Sequence, residues 1–282
     1  MEARSGHELN ADQIDYWNGP TGEEWAKYNS QTDHSLAEAA DAALMLAAAR
    51  PGERVLDIGC GAGVTSLSLA EKVGPGGHVT GVDVSRPLLA LARSRAEAHN
   101  VEFIEADAAL YPFAPRYDLI FSRFGVMFFV DPVSAFVNIR NAAVRGGRLA
   151  FVCWRAVEEN EWVSLPYAAA RPVLPAQKPV PPHAPGPFAF ADRDYLHGIL
   201  SAAGFSRIGI ETFDGMMDLG DVPQQASFQV TQLMGPTARA LRNADDATRA
   251  RARDLVAEAL ANMQTGTGAI RLGMACWLVS AR

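Results

Sequence analysis

Lysine is nearly missing from this chain: Lys27, Lys72 and Lys178 are the only three among twenty-five basic residues, so almost every positive charge is a guanidinium. Cysteine is scarce too. Cys60, Cys153 and Cys276 are far apart, each in or beside an apolar run, with neither metal-ligand nor redox spacing. They read as small buried thiols in a reducing compartment, which argues against a disulfide scaffold or a thiolate metal centre. No apolar run approaches the ~20 residues that span a bilayer. Met1 to Asn10 is polar and lacks the apolar stretch of a secretory signal. The expectation is a cytoplasmic protein with no transmembrane segment and no metal. An internal repeat and a catalytic triad are also missing.

What is present is ordinary for a globular enzyme: 282 residues, 49% of them apolar and 20% charged, enough for one large domain or one domain with an appendage. The formal charge of −7 argues against a nucleic-acid partner or any large phosphate-binding surface. It leaves room for a local basic patch.

The most informative segment is Val55-Leu56-Asp57-Ile58-Gly59-Cys60-Gly61-Ala62-Gly63, a short buried strand running into a turn with alternate glycines, followed by a helix. Alternating glycines permit positive φ and strip Cβ atoms from one side of the turn. A ligand can then lie on the main chain beside the amides that start the helix. The dinucleotide fingerprint G-x-G-x-x-G would need glycine where this chain has Val64. Asp57, two residues before the first glycine, suits an ammonium better than a pyrophosphate, and so points to an amino-acid-bearing nucleoside.

Residues 1–50 read as a helical cap, with capping-box patterns at Thr21–Glu24 and Ser35–Glu38. Tyr16, Trp17, Trp25 and Tyr28 concentrate aromatic surface there, either packed on the body or closing over a ligand. From 51 to 155 apolar runs alternate with helical stretches as βαβ units. Strands are expected at Arg54–Ile58, His78–Asp83, Val101–Glu105, Tyr117–Ser122 and Gly147–Trp154, with a helix at Pro87–Ala98. Right-handed crossovers make this a parallel sheet with helices on both faces. Residues 156–190 read as a proline-rich lid, since seven of the seventeen prolines lie between Pro172 and Pro187. Residues 191–282 continue the sheet: a helix at Asp192–Ala203, a strand at Phe205–Phe213, and a final strand at Ile270–Ser280. They enclose an insertion at about 215–265 with a helix at Ala244–Asn262. Its arginines alternate with acids, as on a solvated face.

Two more carboxylates fall at strand tips, where ligands of open α/β sheets lie. Asp83, 22 positions beyond Gly61, is placed for ribose hydroxyls. Asp107, between Ala106 and Ala108, can accept from an adenine amino group. Together with Asp57-Ile58-Gly59-Cys60-Gly61-Ala62-Gly63 and Tyr117-Asp118-Leu119-Ile120-Phe121-Ser122, these residues resemble the class I S-adenosylmethionine-dependent methyltransferases. The likeness is to the small-molecule branch related to ubiquinone/menaquinone-biosynthesis and "type 11" enzymes, and it covers Tyr16 to Trp154 best.

The resemblance implies a Rossmann-like doubly wound α/β fold with seven strands in the order 3-2-1-4-5-7-6, the last antiparallel. It implies S-adenosyl-L-methionine as cofactor. Asp57 would hold its methionine ammonium through the turn or a water, and Gly59, Gly61 and Gly63 would admit the methionine portion. Asp83 would take the ribose, with Val84 and Leu88 against the adenine. Ala106, Asp107 and the Ala108 amide would meet the adenine edge, while Ser122 and Arg123 would face the methionyl end and the acceptor. Trp17 and Tyr28 would close over the cofactor. The run Phe121–Phe129 is either ordinary core or a wall for an apolar acceptor.

Methyl transfer from a sulfonium is an in-line displacement that needs alignment, desolvation and a deprotonated acceptor, but no covalent nucleophile. A general base would help an O- or C-acceptor. Of His7, His34, His78, His99, His183 and His197, the candidate is His183, in the proline-rich cover; Glu159 and Tyr167 come behind it. Ser122-Arg123-Phe124-Gly125 is not the Asn/Asp-Pro-Pro-aromatic segment of exocyclic-amine nucleic-acid methyltransferases, and the Pro-Cys nucleophile of pyrimidine C5 enzymes is absent. The expected partner is an apolar or amphipathic small-molecule methyl acceptor such as a quinone, polyketide, phenol or lipid headgroup, methylated on oxygen or carbon rather than nitrogen. Two other readings stay open: a relative that binds S-adenosylmethionine without transferring methyl, and an NAD-dependent oxidoreductase. A homodimer is also open.

Overall fold

The computed structural model describes residues 10–96, 100–114, 116–177 and 179–282. His7, His99, Lys178, nearly all of the polar N-terminal segment and the end of the helix expected to reach Ala98 lie outside the described residues. Seven strands form one sheet: β1 (Arg54–Ile58), β2 (His78–Asp83), β3 (Val101–Glu105), β4 (Tyr117–Arg123), β5 (Ala143–Trp154), β6 (Gly209–Asp218) and β7 (Arg271–Ala281). Their order is β3-β2-β1-β4-β5-β7-β6. The β1–β2, β1–β4, β2–β3 and β4–β5 pairings are parallel, and β7 runs antiparallel to both β5 and β6. The Rossmann-like arrangement expected from the resemblance is the one found. Central strands covered on both faces must be apolar throughout. Accordingly Val55, Leu56, Leu119, Ile120, Phe121, Phe151 and Val152 are all buried.

Among the described residues four helices precede the sheet: α1 (Ala11–Asn18), α2 (Pro20–Lys27), α3 (Asn29–Ser35) and α4 (Ala37–Ala47). Neither expected capping box forms. α2 starts at Pro20, one residue before Thr21, because proline suits the first turn. Ser35 ends α3 instead of starting α4, and its Oγ donates to the Gln31 carbonyl and to Gln229 Oε1. Glu38 accepts from the Met216 amide of edge strand β6 and pairs with Arg271, an alternative that tertiary contact favours over a local cap. The other helices are α5 (Val64–Val73), α6 (Arg86–Arg95), α7 (Pro132–Asn141), α8 (Glu161–Ala170), α9 (Arg193–Ala202), α10 (Pro223–Phe228), α11 (Gly235–Leu241) and α12 (Asp246–Ala261). α8 occupies the start of the expected lid. From Pro172 to Pro187 the described residues contain neither helix nor strand, as the prolines dictate. β6 begins at Gly209, later than expected, because Phe205 is buried in the turn after α9 rather than paired in the sheet.

The junction of β1 and β4 sets the centre of the molecule. Gly59 has φ +66, and a Cβ there would lie 2.6 Å from the Gly125 Cα. Only two glycines allow such an approach. Ser122 Oγ fastens it, donating to the Ile58 carbonyl at 2.7 Å and accepting from the Gly125 amide at 3.1 Å. Asp57, fully buried, ties β1 to α5: its Oδ2 accepts from Thr65 Oγ1 at 2.8 Å and Ser66 Oγ at 2.6 Å. Its Oδ1 has no partner among the described residues. Burial pushes this carboxyl up to about 6 from 3.8, against the Ser66 and Thr65 hydroxyls and Arg123, which favour the charged form.

A sign follows for stability. The folded state holds the Asp57 proton to a higher pH than the unfolded chain does, so folding loses free energy as pH rises from about 4 through about 6. The loss is on the order of 3 kcal/mol. Asp57→Asn cannot ionise, so its urea midpoint should gain on the parent's across that window; parallel midpoints from pH 4 to 7 would refute this.

Candidate functional site

The carboxyl ends of the strands open into a cavity of about 2200 Å³. β1 contributes the Gly59–Ala62 turn, β2 contributes Asp83 and Val84, and the residues after β3 contribute Ala106, Asp107 and Ala108. Gly61, at φ +53, has nothing within 4 Å of its missing Cβ except the Leu88 Cδ1, so the turn presents bare main chain to the cavity. Asp83 is held by the loops it serves. Its Oδ2 accepts from the Gly61 amide and its Oδ1 from the Ser85 amide, both at 2.8 Å. Burial pushes its pKa up, and those amides work in the opposite direction. Asp107 Oδ1 accepts from the Ala109 amide at 2.9 Å, while its other oxygen takes the side-chain amide of Asn10.

The N-terminal helices are pinned across these strand tips. Ser85 Oγ donates to the Trp17 carbonyl at 2.8 Å. Asn18 donates to the Val84 carbonyl at 2.8 Å and accepts from the Arg86 amide at 2.9 Å. The Trp17 ring stands edge-on to Trp25 and Phe128, at 5.5 and 5.6 Å, and lines the cavity. The far wall is aromatic. Phe124 stacks on Trp154 at 4.3 Å and 10°, and Trp162 follows at 4.8 Å. Phe124 has φ +60, a left-handed backbone unusual for a bulky residue, forced by the sharp exit of β4 into Gly125. Arg123 lines the cavity beside it, donating to Asp33 at 2.9 Å, with its Nη1 buried and unpartnered.

The expected residues therefore divide. Trp17, Gly59, Gly61, Asp83, Val84, Leu88, Ala106, Asp107, Ala108 and Arg123 converge on the cavity. Asp57, Gly63, Ser122 and Tyr28 stand off its wall. Asp57 lies beneath the turn rather than in it. Gly63 is needed for packing, since a Cβ there would meet the Phe103 ring at 2.8 Å and Ala92 at 3.0 Å. Ser122 is consumed by the β1–β4 junction. Tyr28 packs on Phe228 at 4.8 Å. His183 is not brought to the site: it stacks on Tyr195 at 3.6 Å, outside the cavity. Glu159 pairs with Arg155, whereas Tyr167 does line the cavity. The run Phe121–Phe129 serves both roles, with Phe121 and Val126 in the core and Phe124, Phe128 and Phe129 on the wall.

Asn10, Asn18, Trp154 and Trp162 were not found from sequence. Trp154 ends β5 and was visible as a strand end, but nothing local says that it faces Phe124. For S-adenosylmethionine, the group the resemblance implies, the residues fit. The turn offers a main-chain bed without Cβ atoms, Asp83 and Asp107 stand at neighbouring strand tips, and an orphaned carboxylate oxygen lies under the turn. Among the described residues no group of three or more His, Cys, Asp or Glu side chains could hold a metal.

Comparison with known proteins agrees with this geometry. A family model described as a methyltransferase domain matches residues 49–169. Aklanonic acid methyltransferase DauC of Streptomyces sp. (strain C5) is 38% identical over 104 residues, covering 36% of this chain and 47% of that protein. Demethylmenaquinone methyltransferase of Thermus thermophilus is 38% identical over 110 residues, covering 38% and 50%. The chain thus spans about half the length of the curated relatives it matches. Two solved structures share the fold. YcgJ of Bacillus subtilis has TM-score 0.54 at 19% identity, over 88% of this chain and 97% of that one. Phosphoethanolamine N-methyltransferase 2 of Haemonchus contortus, in complex with S-adenosyl-L-methionine, has TM-score 0.54 at 18% identity, over 99% and 60%. Residues 49–169 thus match a methyltransferase domain, and with this strand order and this glycine turn they resemble the class I S-adenosylmethionine-dependent methyltransferases.

Proposed function

We propose that the protein transfers a methyl group to an apolar or amphipathic planar small molecule, on oxygen or carbon, by in-line displacement. The observation that carries this reading is one continuous cavity, running from Asp83 and Asp107 at the nucleoside end to the Phe124–Trp154–Trp162 wall at the other. Flat aromatic walls favour flat ligands, because offset and edge-on ring contacts add to the burial of apolar surface. Relatives named for aklanonic acid and demethylmenaquinone support the same acceptor class.

S-adenosylmethionine supplies an electrophilic methyl on a sulfonium; the protein's own contribution is alignment and the exclusion of water. Asp83 receives the ribose hydroxyls and Asp107 the adenine amino group. Asp57 acts from below the turn, its free Oδ1 compensating the ammonium through the Gly59–Gly61 backbone or a water. Trp17, Trp25 and Phe128 close the site from above. Arg123, held by Asp33, lines the same cavity beside Phe124 and would offer a fixed cation to an ionised acceptor oxygen. The reaction class needs no protein nucleophile. Among the described residues no helix is long and apolar enough to cross a membrane. The three buried free thiols support a cytoplasmic location.

Incubation with methyl-labelled S-adenosylmethionine and a panel of hydroxylated naphthoquinones and polycyclic phenols should move label to acceptor oxygen or carbon. No transfer across the panel would sink the proposal. Asp83→Asn should weaken S-adenosylhomocysteine binding at least tenfold in calorimetry, about 1.4 kcal/mol; unchanged affinity would remove the ribose assignment. Phe124→Gly deletes the ring but suits the left-handed backbone. The lost stacking of about 0.5–1.5 kcal/mol, together with the lost apolar burial of a half-buried ring, is then partly offset by relief of roughly 1–2 kcal/mol of strain. The variant should stay folded, bind S-adenosylhomocysteine as the parent does, and show a severalfold higher acceptor KM; an unaltered KM would take Phe124 out of the acceptor wall.

A further inference from the structure

A second cavity, of about 610 Å³, lies at the opposite end of the sheet from the cofactor site. The end of α7, the start of β5, the turn between α9 and β6, and the end of β7 surround it. Arg140, Arg145, Arg148, Arg207 and Arg282 line it, and among the described residues no Asp or Glu does; the main-chain carboxylate of Arg282 is held by Ser206. Arg148 is consumed by structure: both terminal nitrogens bond Glu53, at 2.7 and 2.8 Å, and it also donates to the carbonyls of Ala47 and Ala48. Arg140, Arg145 and Arg207 are different. Among the described residues none has a carboxylate within ion-pairing distance or a side-chain hydrogen bond, and all three are exposed. In a chain carrying a formal charge of −7, three unneutralised guanidiniums on one concave surface form a strong local reversal of sign.

The backbone departs from regularity where two of these arginines stand. β4 and β5 pair Tyr117 with Ala143 and then Leu119 with Arg148, so residues 144–147 bulge out of the ladder, carrying Arg145 and a left-handed Gly146 at φ +85. Bulges re-aim side chains. Across the cavity Arg207 has φ +50, a conformation that costs a residue with a Cβ on the order of 1–2 kcal/mol. A solvated arginine needs neither arrangement. The end of α7 can account for Arg140 through the negative pole of the helix, but for neither of the others.

We propose that this basal cleft is a second ligand site, taking a compact polyanion that bears two or more phosphate groups. Arginine presents fixed planar forks that match phosphate oxygens and stay charged at any physiological pH. The volume suits a small ligand. Among the described residues the only aromatic one lining it, Phe205, is buried. That leaves no stacking platform for single-stranded nucleic acid and no exposed apolar ring to enter a bilayer.

Inorganic pyrophosphate is the probe, titrated by calorimetry into the full chain with and without saturating S-adenosylhomocysteine. Saturable one-to-one binding of equal affinity in both titrations is expected. The double variant Arg145→Glu/Arg207→Glu should lose at least tenfold in affinity, while Arg193→Glu/Arg251→Glu, an equal charge change on exposed arginines outside the cleft, should lose less than threefold. Both should bind S-adenosylhomocysteine as the parent does. Absence of pyrophosphate binding to the parent, abolition by S-adenosylhomocysteine, or equal loss in the two double variants would each overturn the proposal. Binding of an oligonucleotide or of anionic vesicles in place of pyrophosphate would overturn the small-ligand assignment.

Discussion

The architecture turns on the contact between two glycines. With Gly59 against Gly125, the turns that leave β1 and β4 meet backbone to backbone, and the Ser122 hydroxyl holds them together. Any side chain at either position would wedge the two strand ends apart. The cavity lies directly above this contact, so its floor is main chain on both sides. From that floor one turn leads to Asp83 through the Gly61 amide, and the other leads to Phe124 and its stack on Trp154. The two halves of the cavity therefore share one rigid reference point. Such fixation matters for a displacement whose rate depends on the alignment of two partners.

Polar groups around that floor are arranged as supports more than as free functional groups. Asp83 has each of its carboxylate oxygens on a main-chain amide, and Asp57 has one oxygen on two hydroxyls. Carboxylates fixed in this manner do not reorganise when a ligand arrives, which is the condition for electrostatic preorganisation. The cost appears in Asp57, whose ionisation is disfavoured by its own burial. An apolar residue would be cheaper there for stability, but it could not hold the first turn of α5 or offer an acceptor to the underside of the glycine turn.

Most of the fold was legible because it rests on local patterning. Apolar runs of strand length, separated by helix-length segments, define β1 to β5 and their crossovers within a few residues. The strand-tip acids were legible for the same reason, since a residue at the end of a strand has its location decided by the strand. What failed were inferences that needed a tertiary partner. Ser35 and Glu38 have the spacing of a capping box, yet Gln229 and β6 claim them. His183 was chosen for its neighbourhood in sequence, and stacking on Tyr195 takes it away. Gly63 looked like part of the ligand bed, but Phe103 and Ala92, distant in the chain, explain why it must be glycine. The aromatic pairing of Phe124 with Trp154 joins residues thirty positions apart and has no local signature.

The hook formed by Asn10 on Asp107 couples two processes that could have been independent. In the proposed complex an adenine amino group seeks the carboxylate that the Asn10 amide holds, and an amide NH2 is chemically a close substitute for an exocyclic one. Binding of the adenine there would exchange one nitrogen donor on Asp107 for another. The N-terminal segment and the nucleobase would then compete for one carboxylate, with Asn10, just before α1, in the place of the adenine amino group.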